Sequence, residues 1–183
     1  MSYRSRPVFS EGYLTVGRIR RVPVRVHVAT PIGFYILTGF SFRPVAWAAF
    51  LFVIMVHELG HAVLVRRCRL RVLSVDINGI GGVCRWAGRA GDADESIIAW
   101  GGILAQAGLL AVTETLARTV GFHGRVVGEV ANTFVDANVY LMALNICPFP
   151  PLDGAKAWAL FRWERLHFWG RRSLLKVLSL IHI

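Results

Sequence analysis

Five residues, His57-Glu58-Leu59-Gly60-His61, interrupt an apolar stretch that runs over residues 45–65. On a helix, positions i and i+4 share a face, so both imidazoles can reach one ion from a single turn. Glu58, beside them, is placed to hold and deprotonate a metal-activated water. A string of this form arises by composition alone in roughly one chain per few hundred of this length. Chance gives no reason for its setting. In hydrocarbon, unpartnered His and Glu side chains cost several kcal/mol, so an ionisable cluster at that depth reads as functional.

Composition supports that depth. Of 183 residues 55% are hydrophobic, more than an ordinary soluble domain carries, and the length fits one domain or one membrane bundle. The net charge of +10 raises the alternative of a nucleic-acid binder, and the placement of the charge decides against it. Arg43, Arg118 and Arg125 lie in short connections between apolar segments; the other 18 of the 21 basic residues lie before the first segment, between the second and third, or after the fourth. That is a positive-inside pattern, with both termini cytoplasmic and anionic headgroups as the partner of the charge. No basic face interleaved with aromatics recurs, so no nucleic acid is expected. Cys68, Cys84 and Cys147 lack metal-ligand spacing and read as reduced apolar residues. The Arg-rich first 27 residues lack the long apolar core of a cleavable signal.

Four spans are expected, at about 29–42, 44–65, 96–117 and 126–146, in one all-α multi-pass bundle with a small strand or hairpin element near the cytoplasmic face. The first is short for a crossing. Valines 22, 24, 26 and 28 alternate with Arg21, Pro23, Arg25 and His27, predicting one strand over 16–28 with Pro23 at an edge. Residues 70–86 hold two β-rich runs around Asn78, Gly79, Gly81 and Gly82, which suits a hairpin. Residues 85–94 read as a polar loop and 1–12 as a mobile start. The fourth span carries Asn132, Asp136, Asn138 and Asn145, too polar for lipid and therefore central. Residues 155–167 read as an interfacial amphipathic helix. Residues 178–183 match what a transposon-end sequencing adapter encodes in one frame, so the natural chain is expected to continue past 177.

A catalytic zinc takes three protein ligands and leaves a position open for water. Span 2 runs inward, span 3 outward and span 4 inward again, so the end of span 4 returns to the depth of His61, where Asp153 follows a Pro-rich break. Asp136, deeper, and His27, on the strand, are the other candidates for the third ligand.

HELGH in an apolar helix, followed about ninety residues later by Asn145-Ile146-Cys147-Pro148-Phe149-Pro150-Pro151-Leu152-Asp153-Gly154, resembles the site-2 protease family of intramembrane zinc metalloproteases. Residues 17–27 resemble the family's strand before its first helix, Gly81-Gly82 its Gly-Gly hairpin, and residues 100–106 its A-G-P-L-A-N segment. By that resemblance His57, His61 and Asp153 bind zinc, Glu58 is the base, Asn145 shapes the site, and Gly81, Gly82 and Gln106 serve substrate or oxyanion. The family's Pro is Ile103 here and its Asn is Gln106, an amide one methylene longer. No PDZ-like insertion fits between the spans, as in the compact members.

The expectation is an integral-membrane zinc endopeptidase of a prokaryotic cell membrane that cuts a transmembrane segment of another protein near its cytoplasmic side. The rival is a catalytically silent zinc-containing membrane protein that binds transmembrane partners. Glu58 argues against it, since a structural site has no use for that carboxylate and is usually closed by a fourth ligand. A transporter should show several ligand-rich spans, and one such constellation is visible.

Overall fold

The computed structural model describes residues 9–119 and 125–161. The strands β1 (Phe9–Ser10), β2 (Tyr13–Ile19) and β3 (Val22–His27) come first, followed by the helices α1 (Thr30–Leu37) and α2 (Pro44–Arg67). The hairpin of β4 (Arg71–Asn78) and β5 (Gly81–Ala87) precedes α3 (Asp92–Thr119), α4 (Arg125–Ile146), α5 (Gly154–Ala157) and a 3-10 turn at Trp158–Phe161. The five strands form one sheet in the order β1-β2-β3-β4-β5, antiparallel except for the β3–β4 pair. That parallel pair needs a long crossover, and α1 and α2 supply it.

The fold is therefore not all-α. What reads as one strand over 16–28 is a hairpin, because Arg20 and Arg21 take φ of 48° and 72° and turn the chain. Paired positive φ values are the mark of a tight two-residue hairpin turn, a conformation usually signalled by Asn-Gly rather than by two arginines. Nor is β3 an edge strand. Pro23 is tolerated because β3 meets β4 only from Val24 to Val26, so no neighbour on that side needs the missing N–H. The start is also more ordered than expected from residue 9, where β1 pairs with β2. Strand β5 extends through Ala87, into the stretch read as loop.

The first expected span is absent as a span. Helix α1 has eight residues, ~12 Å at the α-helical rise, far short of a ~30 Å hydrocarbon core. It ends where Gly39 and Phe40 turn to positive φ and Thr38 Oγ1 donates to Phe34 O at 2.9 Å. Gly33 lies against the backbone of Gly79, so α1 is wedged on the β4–β5 turn. Among the described residues, α2 and α3 are the helices long and apolar enough to cross a membrane. Helix α4 matches the expected bounds and, at 22 residues, is long enough to compare with α2 and α3, but its Asn and Asp residues set it apart. Of the amphipathic helix expected over 155–167, α5 and the 3-10 turn are described and the rest lies outside the described residues, as do residues 178–183.

Helix α2 packs against α3, α4, β4 and β5. Val53 and Ile54 of α2 share a core with Val75 and Ile77 of β4, Val24 of β3, Phe34 of α1 and Leu141 of α4. At the crossing with α3, Gly60 meets the Gly101 carbonyl so closely that a Cβ would collide with it. Small residues at this point let two backbones approach. A second core of Ala99, Ile103 and Ala157, with Met142 and Ile146 against it, ties α3, α4 and α5 together. The sheet has its own lock. Asp76, fully buried, accepts from Arg25 Nε and Nη2 at 2.6 Å each and from Arg85 Nε at 2.7 Å, joining β3, β4 and β5 through one carboxylate.

Candidate metal centre

The α2 face towards α3 and α5 carries the site. His57 and His61 lie one turn apart and are 5% and 6% exposed. Asp153 enters from the other end of the chain, at the N-terminus of α5. Its position follows from the core around Ala157 and from hydrogen bonds: Ser96 Oγ shares its proton between the carbonyls of Lys156 and Ala157, at 2.8 and 2.9 Å, and Trp100 Nε1 donates to that of Ala157 at 3.0 Å. Asp153 Oδ2 then lies 2.7 Å from His57 Nε2 and 3.1 Å from His61 Nε2, and the two Nε2 atoms are 2.9 Å apart.

The other side of each ring decides what these atoms can do. His61 Nδ1 is 2.7 Å from the Ile98 carbonyl, which can only accept, so Nδ1 carries the proton and Nε2 the lone pair. His57 Nδ1 is 2.9 Å from Gln106 Oε1, which gives the same tautomer. Two imidazole lone pairs and a carboxylate oxygen thus converge on one point. They repel one another unless positive charge, protons or a metal cation, sits among them. Two nitrogens and one oxygen, with the far nitrogen of each ring hydrogen-bonded behind, are a donor set that fits zinc. Among the described residues this is the group of three potential ligands whose donor atoms come within 4.8 Å of one another. Burial opposes ionisation of Asp153, but when protons occupy the Nε2 positions of His57 and His61 their hydrogen bonds and positive charge outweigh it and hold the carboxyl well below the usual carboxylate range.

Glu58, 3% exposed, points from α2 towards β5. It takes a hydrogen bond from the Cys84 backbone, while its Oε2 is buried without a partner. A buried carboxylate oxygen left free beside three convergent ligands is poised for a proton. The cavity in front of it holds about 800 Å³ and is lined by His57, Glu58, His61 and Asp153 and by Gly81, Gly82, Gln106 and Asn145. Burial, reinforced by the charges of Glu58 and Asp76, pushes the Cys84 thiol up to about 12, and Cys84 is not in the group of convergent donor atoms.

All eight candidate residues thus border one cavity. The other candidates for third ligand do not join it. Asp136 is exposed on α4, and His27 meets Tyr13 edge to face with ring centroids 4.8 Å apart while its Nδ1 accepts from the Ala29 amide. Sequence reasoning missed Ser96 and Trp100, which hold α5, and the bond from Gln106 to His57. A small polar residue on the buried side of an apolar helix was the available signal.

No protein-family model matches the chain. Over 119 residues it is 33% identical to Rip3 of Mycobacterium tuberculosis, named provisionally as a zinc metalloprotease, in the Erdman and H37Rv strains alike. The match takes in 61% of this chain and spans 29% of that relative's length. Among solved structures it is similar to the site-2 protease from Methanocaldococcus jannaschii, with a TM-score of 0.60 and 17% identity over 81% of this chain and 71% of that one.

Proposed function

We propose that this chain, a site-2 protease family member by its two motifs and its fold, is a zinc metalloendopeptidase that hydrolyses peptide bonds within transmembrane segments of other proteins. The observation that carries the reading is the convergence of His57, His61 and Asp153 beside a Glu58 carboxylate whose Oε2 has no partner. His57 Nε2, His61 Nε2 and Asp153 Oδ2 would hold the ion. Bound there, zinc lowers the pKa of a coordinated water and polarises the scissile carbonyl.

The chain's own groups supply the rest. Glu58 Oε2 takes the proton of the attacking water and passes it to the leaving nitrogen. Gly82 has no side chain to keep substrate or Glu58 away, and β5 is the edge strand of the sheet on the cavity side. A helical substrate hides its carbonyls in its own hydrogen bonds, so it must unwind locally, and pairing with the free edge of β5 would stabilise the extended segment. Asn145 is a polar group available to substrate at the cavity wall, and Gln106 borders the cavity with its Nε2 buried and unpartnered. Membrane embedding rests on α2 and α3. The arginines after α2, Arg66, Arg67, Arg69 and Arg71, support an orientation with the motif in the cytoplasmic half of its helix, against anionic headgroups.

The test is purified protein with its zinc quantified, incubated with a panel of single-span membrane proteins beside Glu58→Gln. Cleavage by the parent and none by the variant at equal zinc content is expected. Zinc bound by both with no cleavage by either would favour the silent membrane protein that binds transmembrane partners without cutting them.

A further inference from the structure

We infer that Gln106 sets the tautomer of His57, and with it the affinity of the metal centre, while Asn138 holds Gln106 in place from α4. The inference rests on the metal-centre reading above. Gln106 and Asn138 are both fully buried, in the middle of α3 and α4. Gln106 Oε1 lies 2.9 Å from His57 Nδ1, and Asn138 Nδ2 donates to the Gln106 backbone carbonyl at 3.0 Å. A chain of polar contacts thus runs from α4 through α3 to the first histidine of α2.

The chemistry makes that chain consequential. A neutral imidazole has one N–H and one lone pair, and the hydrogen bond at one nitrogen selects which is which. His61 has its tautomer fixed by a backbone carbonyl that no substitution can remove. His57 depends on a side chain. With Oε1 as acceptor, the proton stays on Nδ1 and Nε2 offers its lone pair towards Asp153 Oδ2 and His61 Nε2. Without it, a proton on Nε2 would have to leave before an ion could bind. The amide also has two separable ends: Oε1 is committed to His57, while Nε2 is buried with no partner. A role confined to substrate or oxyanion would need Nε2 alone. Outer partners of metal-ligating histidines are worth about 10–100-fold in metal affinity.

The experiment uses the full chain, labelled with ¹⁵N-histidine and purified in detergent. Ring-nitrogen shifts of the metal-free protein report the tautomer, and competition with a chelator reports the zinc affinity. Gln106→Met keeps the length and removes the acceptor; Gln106→Glu keeps the acceptor and removes the amide donor. Expected are a His57 Nδ1–H tautomer in the parent and in Gln106→Glu, with zinc affinities within about threefold, and a shift to Nε2–H with about 10–100-fold weaker zinc in Gln106→Met. A Gln106→Met protein with the parent's tautomer and zinc affinity overturns the inference and leaves the metal centre standing. A parent that binds no zinc overturns the metal centre, while the tautomer comparison still decides the role of Gln106. If Gln106→Met loses its helical circular dichroism, Gln106→Asn, which withdraws the carbonyl by one methylene, is read in its place with the same expectation.

Discussion

Gly82 of β5 sits directly on Glu58 of α2: a Cβ built on Gly82 would lie 2.5 Å from both Cγ and Oε1 of Glu58. Glu58 is 3% exposed and borders the cavity, so the one direction open to its carboxylate is away from the strand and into that space. Gly82→Ala therefore moves either the strand or the base. A displacement of about 1 Å of a catalytic group costs on the order of 100-fold in rate. Cleavage should fall by that order while zinc content stays at the parent's level, and an alanine variant with full activity would show that Glu58 is not held by this strand.

Gly102 bears on the ligand as Gly82 bears on the base. A Cβ at Gly102 would collide with the His57 ring, whereas one at Gly108, further along α3, would meet nothing within 4 Å. Gly102→Ala should lose zinc and Gly108→Ala should keep it. As Gly costs roughly 0.5–1 kcal/mol against Ala inside a helix, Gly108→Ala should also raise the melting temperature. Zinc by atomic absorption and a thermal melt on both variants decide the point; equal zinc in the two would contradict the packing.

The convergence of His57, His61 and Asp153 was legible because its signals are local or topological. HELGH needs one helical turn, and the expected alternation of spans brings Asp153 back to the level of His61, where it is found although the two are 92 residues apart. The sheet was legible only in part. Strand pairing between residues 24–26 and 75–77 depends on partners far away in sequence, and the turn at Arg20 and Arg21 carries none of the residues that announce one. Segment 29–42 has the composition of a span, yet positive φ at Gly39 and Phe40 and the contact of Gly33 with Gly79 make it a short wedge. The direction of Gln106 follows from the α2–α3 crossing at Gly60 and Gly101, which no pattern along the chain encodes.

Asp76 is the sheet's most exacting residue. It is fully buried, with Arg25 16% and Arg85 52% exposed in their side chains. Arg25→Met would leave the carboxylate short of its bidentate partner, a loss of about 3–5 kcal/mol when a buried pair is broken from one side. Arg85→Met, at the more exposed contact, should cost about 1 kcal/mol or less. Denaturation in a mild detergent should rank the variants in that order. The reverse order would mean that Arg85 carries the pairing.

Protons and a metal ion compete for His57 Nε2, His61 Nε2 and Asp153 Oδ2. The folded pKa of Asp153 is depressed, so its carboxylate contributes to stability at neutral pH, and that contribution is lost only as pH falls through the depressed value. An imidazole whose Nε2 carries a proton cannot bind an ion, so acid competes with the metal at both histidines. Zinc affinity should therefore drop as the pH falls from neutral into the mildly acid range, with proton release on binding. Chelator competition across that window measures it. An affinity that stays flat would mean that the histidines are not ligands.

Asp153 itself depends on how α5 is clamped. Ser96 Oγ is the donor to Lys156 O, and it shares Ala157 O with Trp100 Nε1. Ser96→Ala removes the one proton shared between the two carbonyls and leaves Ala157 O partnered by the indole, so the cost should be near that of one lost hydrogen bond, about 1 kcal/mol. Gly154, pressed on the carbonyls of Ile146 and Cys147, prevents the segment from settling elsewhere without disturbing α4. The α5 end should therefore loosen rather than repack, freeing the carboxylate while His57 and His61 stay on their rigid helix. Zinc should leave Ser96→Ala several-fold faster into excess chelator, with the melting temperature of the metal-free protein changed by only a few degrees. Unaltered zinc release would mean that Asp153 is positioned by the hydrophobic contacts of Ala157 alone.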